Sequence, residues 1–200
     1  MGSKENILKV AEREFAEKGF HDASMRSIAG EVGITATALY RHFKDKEAIF
    51  DALVEPVLAK MDEAFQMIED EEFDVMSNQG ADAMWAREVN SSIKFVDMIW
   101  EYKDQMRLLL CHSQGTKYEN FVHDIVTRIQ ESTLKFQEYE KNRGVEIREV
   151  NQKEMHVLLS AQYEAIMEIF RHDYTRKEAF HLVETVDNFF LPGWREFLGF

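Results

Sequence analysis

Cysteine, proline and positive charge are all scarce in this chain. Its 200 residues include one Cys, two Pro and nine Gly. A single Cys excludes an internal disulfide framework, so nothing calls for an oxidising compartment. No stretch approaches the ~18 consecutive apolar residues of a membrane span. The opening Met1-Gly2-Ser3-Lys4-Glu5-Asn6 lacks the basic-then-apolar layout of a signal peptide. A cytoplasmic protein with no membrane partner is expected. Lys and Arg number 24 against 37 Asp and Glu, a formal net charge of −13; alone, that acidity argues against a nucleic-acid partner. There is no His-Glu-x-x-His, Cys-x-x-Cys, Gly-rich phosphate loop or nucleophile elbow. Adjacent helical residues such as Cys111 and His112 diverge and do not converge on one ligand. Catalytic, metal and cofactor roles are therefore not expected.

What is present is helical periodicity. Ile7, Leu8, Ala11 and Phe15 form one apolar stripe on a first helix from about Lys4 to Lys18. Gly19 is placed to end it, with Phe20 folding back on Phe15. Ser24 caps a short second helix to Val32, Thr35 a third from Ala36 to His42, and Asp45 a fourth. That fourth helix carries a seam of Ile49, Leu53, Val57, Met61, Phe65 and Ile68, with Pro56 expected to kink or loosen it. The acidic run 69–72 and the polar 77–80 read as a break. Further helices are expected at about 82–101, 103–112, 116–141, 152–172 and 175–191, with Pro192-Gly193 interrupting the last. The fold class is all-α, about nine helices, divided into a head at 1–48 and a body at 49–200.

The head carries the chemistry. Ala29 lies at a close helix approach, Gly33 at a turn that needs positive φ, and Ile28, Val32, Ile34, Leu39 and Phe43 supply a shared core. This is helix-turn-helix spacing. With Leu39 and Phe43 inward, Thr37 and Arg41 face outward, flanked by Ala36, Tyr40 and His42. Such a face is small at its N-terminus and donor-rich beyond it, which suits a major groove. Ser24, Arg26 and Lys46 are candidates to hold phosphates on either side. A plain three-helix packing unit with a solvated polar face is the alternative.

The stretch from Phe20 to Phe50 resembles the signature of TetR-type transcriptional regulators. Its specific parts are Ser-x-Arg-x-Ile-Ala (24–29), Val-Gly-Ile (32–34) and Leu-Tyr-Arg-His-Phe-Lys-x-Lys-Glu (39–47). The resemblance implies a homodimer of helical subunits, each with a DNA-binding head and a body that binds a small apolar or amphipathic effector. Carried over by position, Ser24 and Lys46 become phosphate contacts. Arg26, Thr35, Ala36, Thr37, Tyr40, Arg41 and His42 belong to the surface that meets a double-stranded DNA operator, Ala36 offering only a methyl for a thymine methyl. Thr37 stands where many members have Gly, and His42 has a second reading as a buried packing histidine.

The body is rich in Met and aromatics. Trp85, Phe95, Trp100, Met106, Phe121, Phe136 and Tyr163 fall on the helices that surround the effector cavity in TetR-like proteins; singly, each also reads as core. The last two long helices are apolar on more than one face, and the resemblance assigns Ile166, Phe170, Phe180, Val183, Val186 and Phe190 to a dimer interface; the alternative is that flanking helices bury both faces within one chain. A dimer implies a palindromic operator. The expected function is a ligand-responsive regulator, most simply a repressor. The alternatives are a helical sensor without specific DNA binding, or a DNA-binding factor indifferent to ligands. Charge fits this division. Residues 1–56 hold 8 basic and 10 acidic side chains, a net of −2, and the remainder carries −11. Non-specific DNA binding is therefore expected to be weak.

Overall fold

The structure, a computed structural model, describes residues 4–80, 83, 88–146 and 148–199. Among these no strand occurs. The helices are α1 (Lys4–Asp22), α2 (Met25–Val32), α3 (Ala36–Tyr40), α4 (Lys46–Gln79), α5 (Glu88–Ile99), α6 (Lys103–Cys111), α7 (Phe121–Asn142), α8 (Gln152–Arg171) and α9 (Arg176–Leu198). A 3₁₀ turn, Trp100–Tyr102, joins α5 to α6. No described helix is long and apolar enough to cross a membrane.

The chain forms two compact units. Of the described chain, the first comprises residues 4–60 with 102–121, so α6 and the turns after it join the N-terminal helices. Its core is built on Ile7, Ala11, Phe15, Ile28, Leu39, Ile49 and Phe50, each fully buried. Phe50 meets Phe15 and Phe20 edge-on at 5.3 and 5.5 Å. Met106 is fully buried and Phe121 nearly so. Both belong to this unit, and neither lies in the body core for which the sequence pattern singles them out.

α1 bends at Gly19, whose φ of 74° and ψ of 164° fall outside any helical region. The turn brings Phe20 to 5.9 Å from Phe15 and lets its N–H donate to the His112 carbonyl at 3.0 Å. The first helix therefore breaks at Gly19, as the sequence pattern expects, and a short helical turn carries the chain on to Asp22.

The second unit comprises residues 61–101 and 122–199 of the described chain. α9 packs along α5 and α8. One apolar cluster joins Val126, Met155, Leu159, Trp194 and Leu198. A buried polar chain runs beside it. Trp194 Nε1 donates to Gln162 Oε1 at 2.6 Å, and Gln162 Nε2 donates to Asp187 Oδ1 at 3.1 Å.

Two expected breaks, at the acidic run and at Pro192-Gly193, are absent. α4 continues through Pro56 and through the acidic run to Gln79, because Glu is a good helix former and the run finds partners. Lys94 Nζ donates to Glu71 at 2.6 Å and Ser132 Oγ to Glu69 at 3.1 Å. α9 likewise passes through Pro192. α7 starts at Phe121 rather than near 116, because Ser113 and Thr116 hold the preceding residues in turns: Ser113 Oγ donates to the Leu109 carbonyl and Thr116 Oγ1 to that of Ser113.

Candidate nucleic-acid interface and body cavity

Helices α2, α3 and α4 start on their expected caps. Ser24 Oγ accepts from the Ser27 N–H at 3.1 Å, Thr35 Oγ1 from Ala38 at 3.1 Å, and Asp45 Oδ1 from Ala48 at 2.7 Å. Gly33 adopts the left-handed conformation, with φ 78°, and Ile34 N–H closes the turn onto the Ala29 carbonyl at 2.9 Å. α3 is shorter than expected and ends at Tyr40. Arg41, His42 and Phe43 continue as a tightened turn, their N–H groups reaching Ala38 and Leu39.

One buried carboxylate ties α1 to α2. Glu14 is 4% exposed; it accepts from Lys18 Nζ at 2.8 Å, Ser27 Oγ at 3.0 Å and the Ser24 N–H at 3.4 Å. Burial alone would raise its carboxyl, but the hydrogen bonds from Lys18, Ser27 and Ser24 outweigh it and hold the group below its ordinary value. The angle between these helices is thus set by a charged hydrogen-bond hub as well as by apolar packing.

Outward, Arg26, Thr37, Tyr40, Arg41 and His42 are exposed, Tyr40 by 53%. The side chains of Arg26, Tyr40, Arg41 and His42 make no hydrogen bond or ion pair with another described residue. His42 is therefore not a packing histidine here. Ala36 is half-buried and Thr35 exposed. The surface is a set of unengaged donors around a five-residue helix.

Lys46 departs from its expected role. Its ammonium donates to the carbonyls of Phe20, His21 (3.0 Å) and Ala23 (3.0 Å) and lies 4.4 Å from the Phe20 ring centroid. Three N–H donors meet three acceptors, so none remains for a phosphate. Burial lowers its pKa, with Asp22 acting in the opposite direction. Lys46 secures the end of α1. Lys44, which sequence reasoning passed over, is 82% exposed in its side chain and has only a long ion pair with Asp45, at 3.9 Å, so its ammonium is the more available at this edge.

The body contains a partly open cavity of about 160 Å³ lined by α4, α5, α7 and α8, with Leu198 at the end of α9. Phe95, Phe136 and Tyr163 line it. Trp100 instead packs on Phe170, with ring centroids 6.1 Å apart, Met106 and Phe121 sit in the first unit, and Trp85 lies outside the described residues. The sequence pattern missed the wall given by α4, namely Phe65, Ile68, Glu69, Glu72 and Met76. Their spacing is helical, and reading the acidic run as a break concealed it.

The expected interface residues are mostly unavailable. Ile166, Phe170, Val183 and Val186 are buried within the single chain, because α5, α8 and α9 cover one another. Phe180 and Phe190 are half-buried, the first beneath the Arg176 guanidinium and the second against Phe189. Exposed apolar side chains on these helices are Val157, Leu158 and Phe189, the last by 79%.

Comparison with known proteins centres on the head. Residues 7–53 match the family described as bacterial regulatory proteins, tetR family. The N-terminal segment belongs to the TetR family. It is 42% identical over 52 residues to the HTH-type transcriptional regulator YdgC of Bacillus subtilis, a match covering 26% of this chain and 27% of YdgC. It is 38% identical over 63 residues to the HTH-type transcriptional repressor AcnR of Corynebacterium efficiens, covering 32% of this chain and 34% of AcnR. The chain thus spans only about a quarter to a third of the length of these relatives. Likeness of fold extends further. The fatty acid degradation regulator FadR from Bacillus halodurans superposes over 96% of both chains with a TM-score of 0.54, at 16% identity.

Proposed function

We propose that this chain is a DNA-binding transcriptional regulator that acts as a homodimer on a palindromic operator and whose DNA affinity is set by a small molecule in the body cavity. The observation that carries this reading is the exposed, unengaged set Arg26, Tyr40, Arg41 and His42 around a capped α3. Donor side chains on a short helix with a small N-terminal flank suit base edges in the major groove. Backbone N–H groups at the starts of α2 and α4, with Lys44 in place of Lys46, supply the phosphate contacts. The cavity supports an apolar or amphipathic effector. The similarity to AcnR, named a repressor, favours repression relieved by ligand, a coupling of about 1–3 kcal/mol that must be reciprocal.

The test begins by selecting duplexes from a random pool on the purified chain, followed by gel-shift titration at fixed salt. Arg41→Ala and Tyr40→Ala are each expected to weaken binding to the recovered palindrome by about 1–3 kcal/mol, with melting temperature unchanged. Two variants that bind as tightly as the parent would remove α3 as the reading element. Recovery of no palindrome would favour a ligand sensor without specific DNA binding.

A further inference from the structure

We propose that the body cavity takes a small organic cation: an amine on an apolar body about one aromatic ring in size, with a hydrogen-bond acceptor beside the amine. This rests on the reading of that cavity as the regulatory site and adds the class of ligand.

Size sets the first limit. The cavity holds about 160 Å³, and a protein cavity of about 150 Å³ accommodates benzene. An apolar group about one aromatic ring in size fills that space.

Charge sets the second. Glu69 and Glu72 lie one helical turn apart on α4, and both line the cavity. Glu69 is partly compensated by the Ser132 hydroxyl at 3.1 Å and by Lys135 at 3.8 Å. Arg128, the one basic side chain in the lining among the described residues, is already committed. Its guanidinium pairs with Asp62 and lies 4.5 Å from the centroid of the Phe65 ring. Among the described residues, Glu72 has the Ser91 hydroxyl as partner and no cation. Burial, with Glu69 and Glu71 adding repulsion, pushes its carboxyl above the ordinary value. An anionic ligand would meet two carboxylates. A neutral hydrocarbon would leave Glu72 without a counter-charge. A cation supplies one, and the Phe95 ring, packed 4.6 Å from Phe65 in the wall, favours it further.

An independent observation gives the acceptor. Gln137 lines the cavity and is nine-tenths buried, yet its Nε2 finds no hydrogen-bond partner among the described residues. An unmet buried donor is costly, and an acceptor on the ligand answers it.

The experiment uses the full chain and calorimetric titration at pH 7 with 2-amino-1-phenylethanol, 2-phenylethylamine, 2-phenylethanol and phenylacetate. The two amines are expected to bind at least ten times more tightly than the alcohol or the acid, and the amino alcohol more tightly than the simple amine. Glu72→Gln is expected to remove the amine preference while leaving 2-phenylethanol within about twofold. Gln137→Leu is expected to erase the advantage of the amino alcohol. Equal or tighter binding of phenylacetate or 2-phenylethanol, or no binding of either amine, overturns the proposal. That ranking on the parent chain decides even where a variant fails to fold. The same compounds are then added to a gel shift on the selected duplex. A palindrome recovered without amine binding sinks this inference alone. Amine binding without any recovered duplex sinks the DNA-binding reading and leaves the ligand class standing.

Discussion

Lys46 and Lys44 sit two residues apart and do different work. The Lys46 ammonium is spent on three carbonyls where α1 ends, a position where a positive charge also meets the negative end of the helix dipole. Lys46→Met is expected to cost about 1–2 kcal/mol of folding free energy by urea titration, the lower part of the range for charged hydrogen bonds because the group is half-exposed. The same variant is expected to leave the slope of log K against log salt for operator binding unchanged. Lys44→Ala is expected to leave stability within about 0.5 kcal/mol and to reduce that slope by about one. A slope reduced by Lys46→Met instead would restore that residue to the phosphate contacts. In sequence the two are indistinguishable, since both follow Phe43 in a polar turn. Three carbonyls contributed by a distant segment decide between them.

At the scale of the element, α3 is too short to be stable alone. Its five residues persist because Thr35 caps them and Leu39 is fully buried. All of that is local, and the sequence conveyed it. The polar chain joining α5, α8 and α9 was not legible, because Ser92, Gln162, Asp187 and Trp194 lie on three separate helices. Asp187 is fully buried, and its Oδ2 has no partner among the described residues. Burial raises its pKa, with hydrogen bonds from Ser92 and Gln162 acting against the rise. The native state therefore holds a proton that the unfolded chain has released, from the ordinary Asp value near ~3.9 upward to the raised native value. Through that window the contribution of Asp187 to stability falls as pH rises. Asp187→Asn is expected to show a greater gain in melting temperature, relative to the parent, at pH 8 than at pH 4. A difference independent of pH would mean that Asp187 stays ionised in both states.

At the scale of the molecule, the question is which surface a second copy would cover. Val157, Leu158 and Phe189 are the large apolar side chains that α8 and α9 leave exposed. A dimer formed through them is continuous with the regulatory reading. Phe189→Glu is expected to raise the dimer dissociation constant by at least about thirtyfold, some 2 kcal/mol, by sedimentation at micromolar concentration. A variant as dimeric as the parent would place the interface elsewhere. Phe170→Glu is uninformative here, because Phe170 is buried within one chain.

The sequence by itself determined an all-helical chain and a head whose caps, turn and outward donors all lie within about twenty-five residues. Those features depend on short-range hydrogen bonds and on the 3.6-residue repeat, both of which are written locally. The tertiary structure alone decided what the repeat could not. It turned the acidic run of α4 into a cavity wall, moved Met106 and Phe121 into the first unit, and buried four of the six residues expected at an interface. A helix that is apolar on several sides shows only that something covers it. Which neighbour does so is fixed by segments far away in the chain, and with it the difference between core, cavity and docking surface.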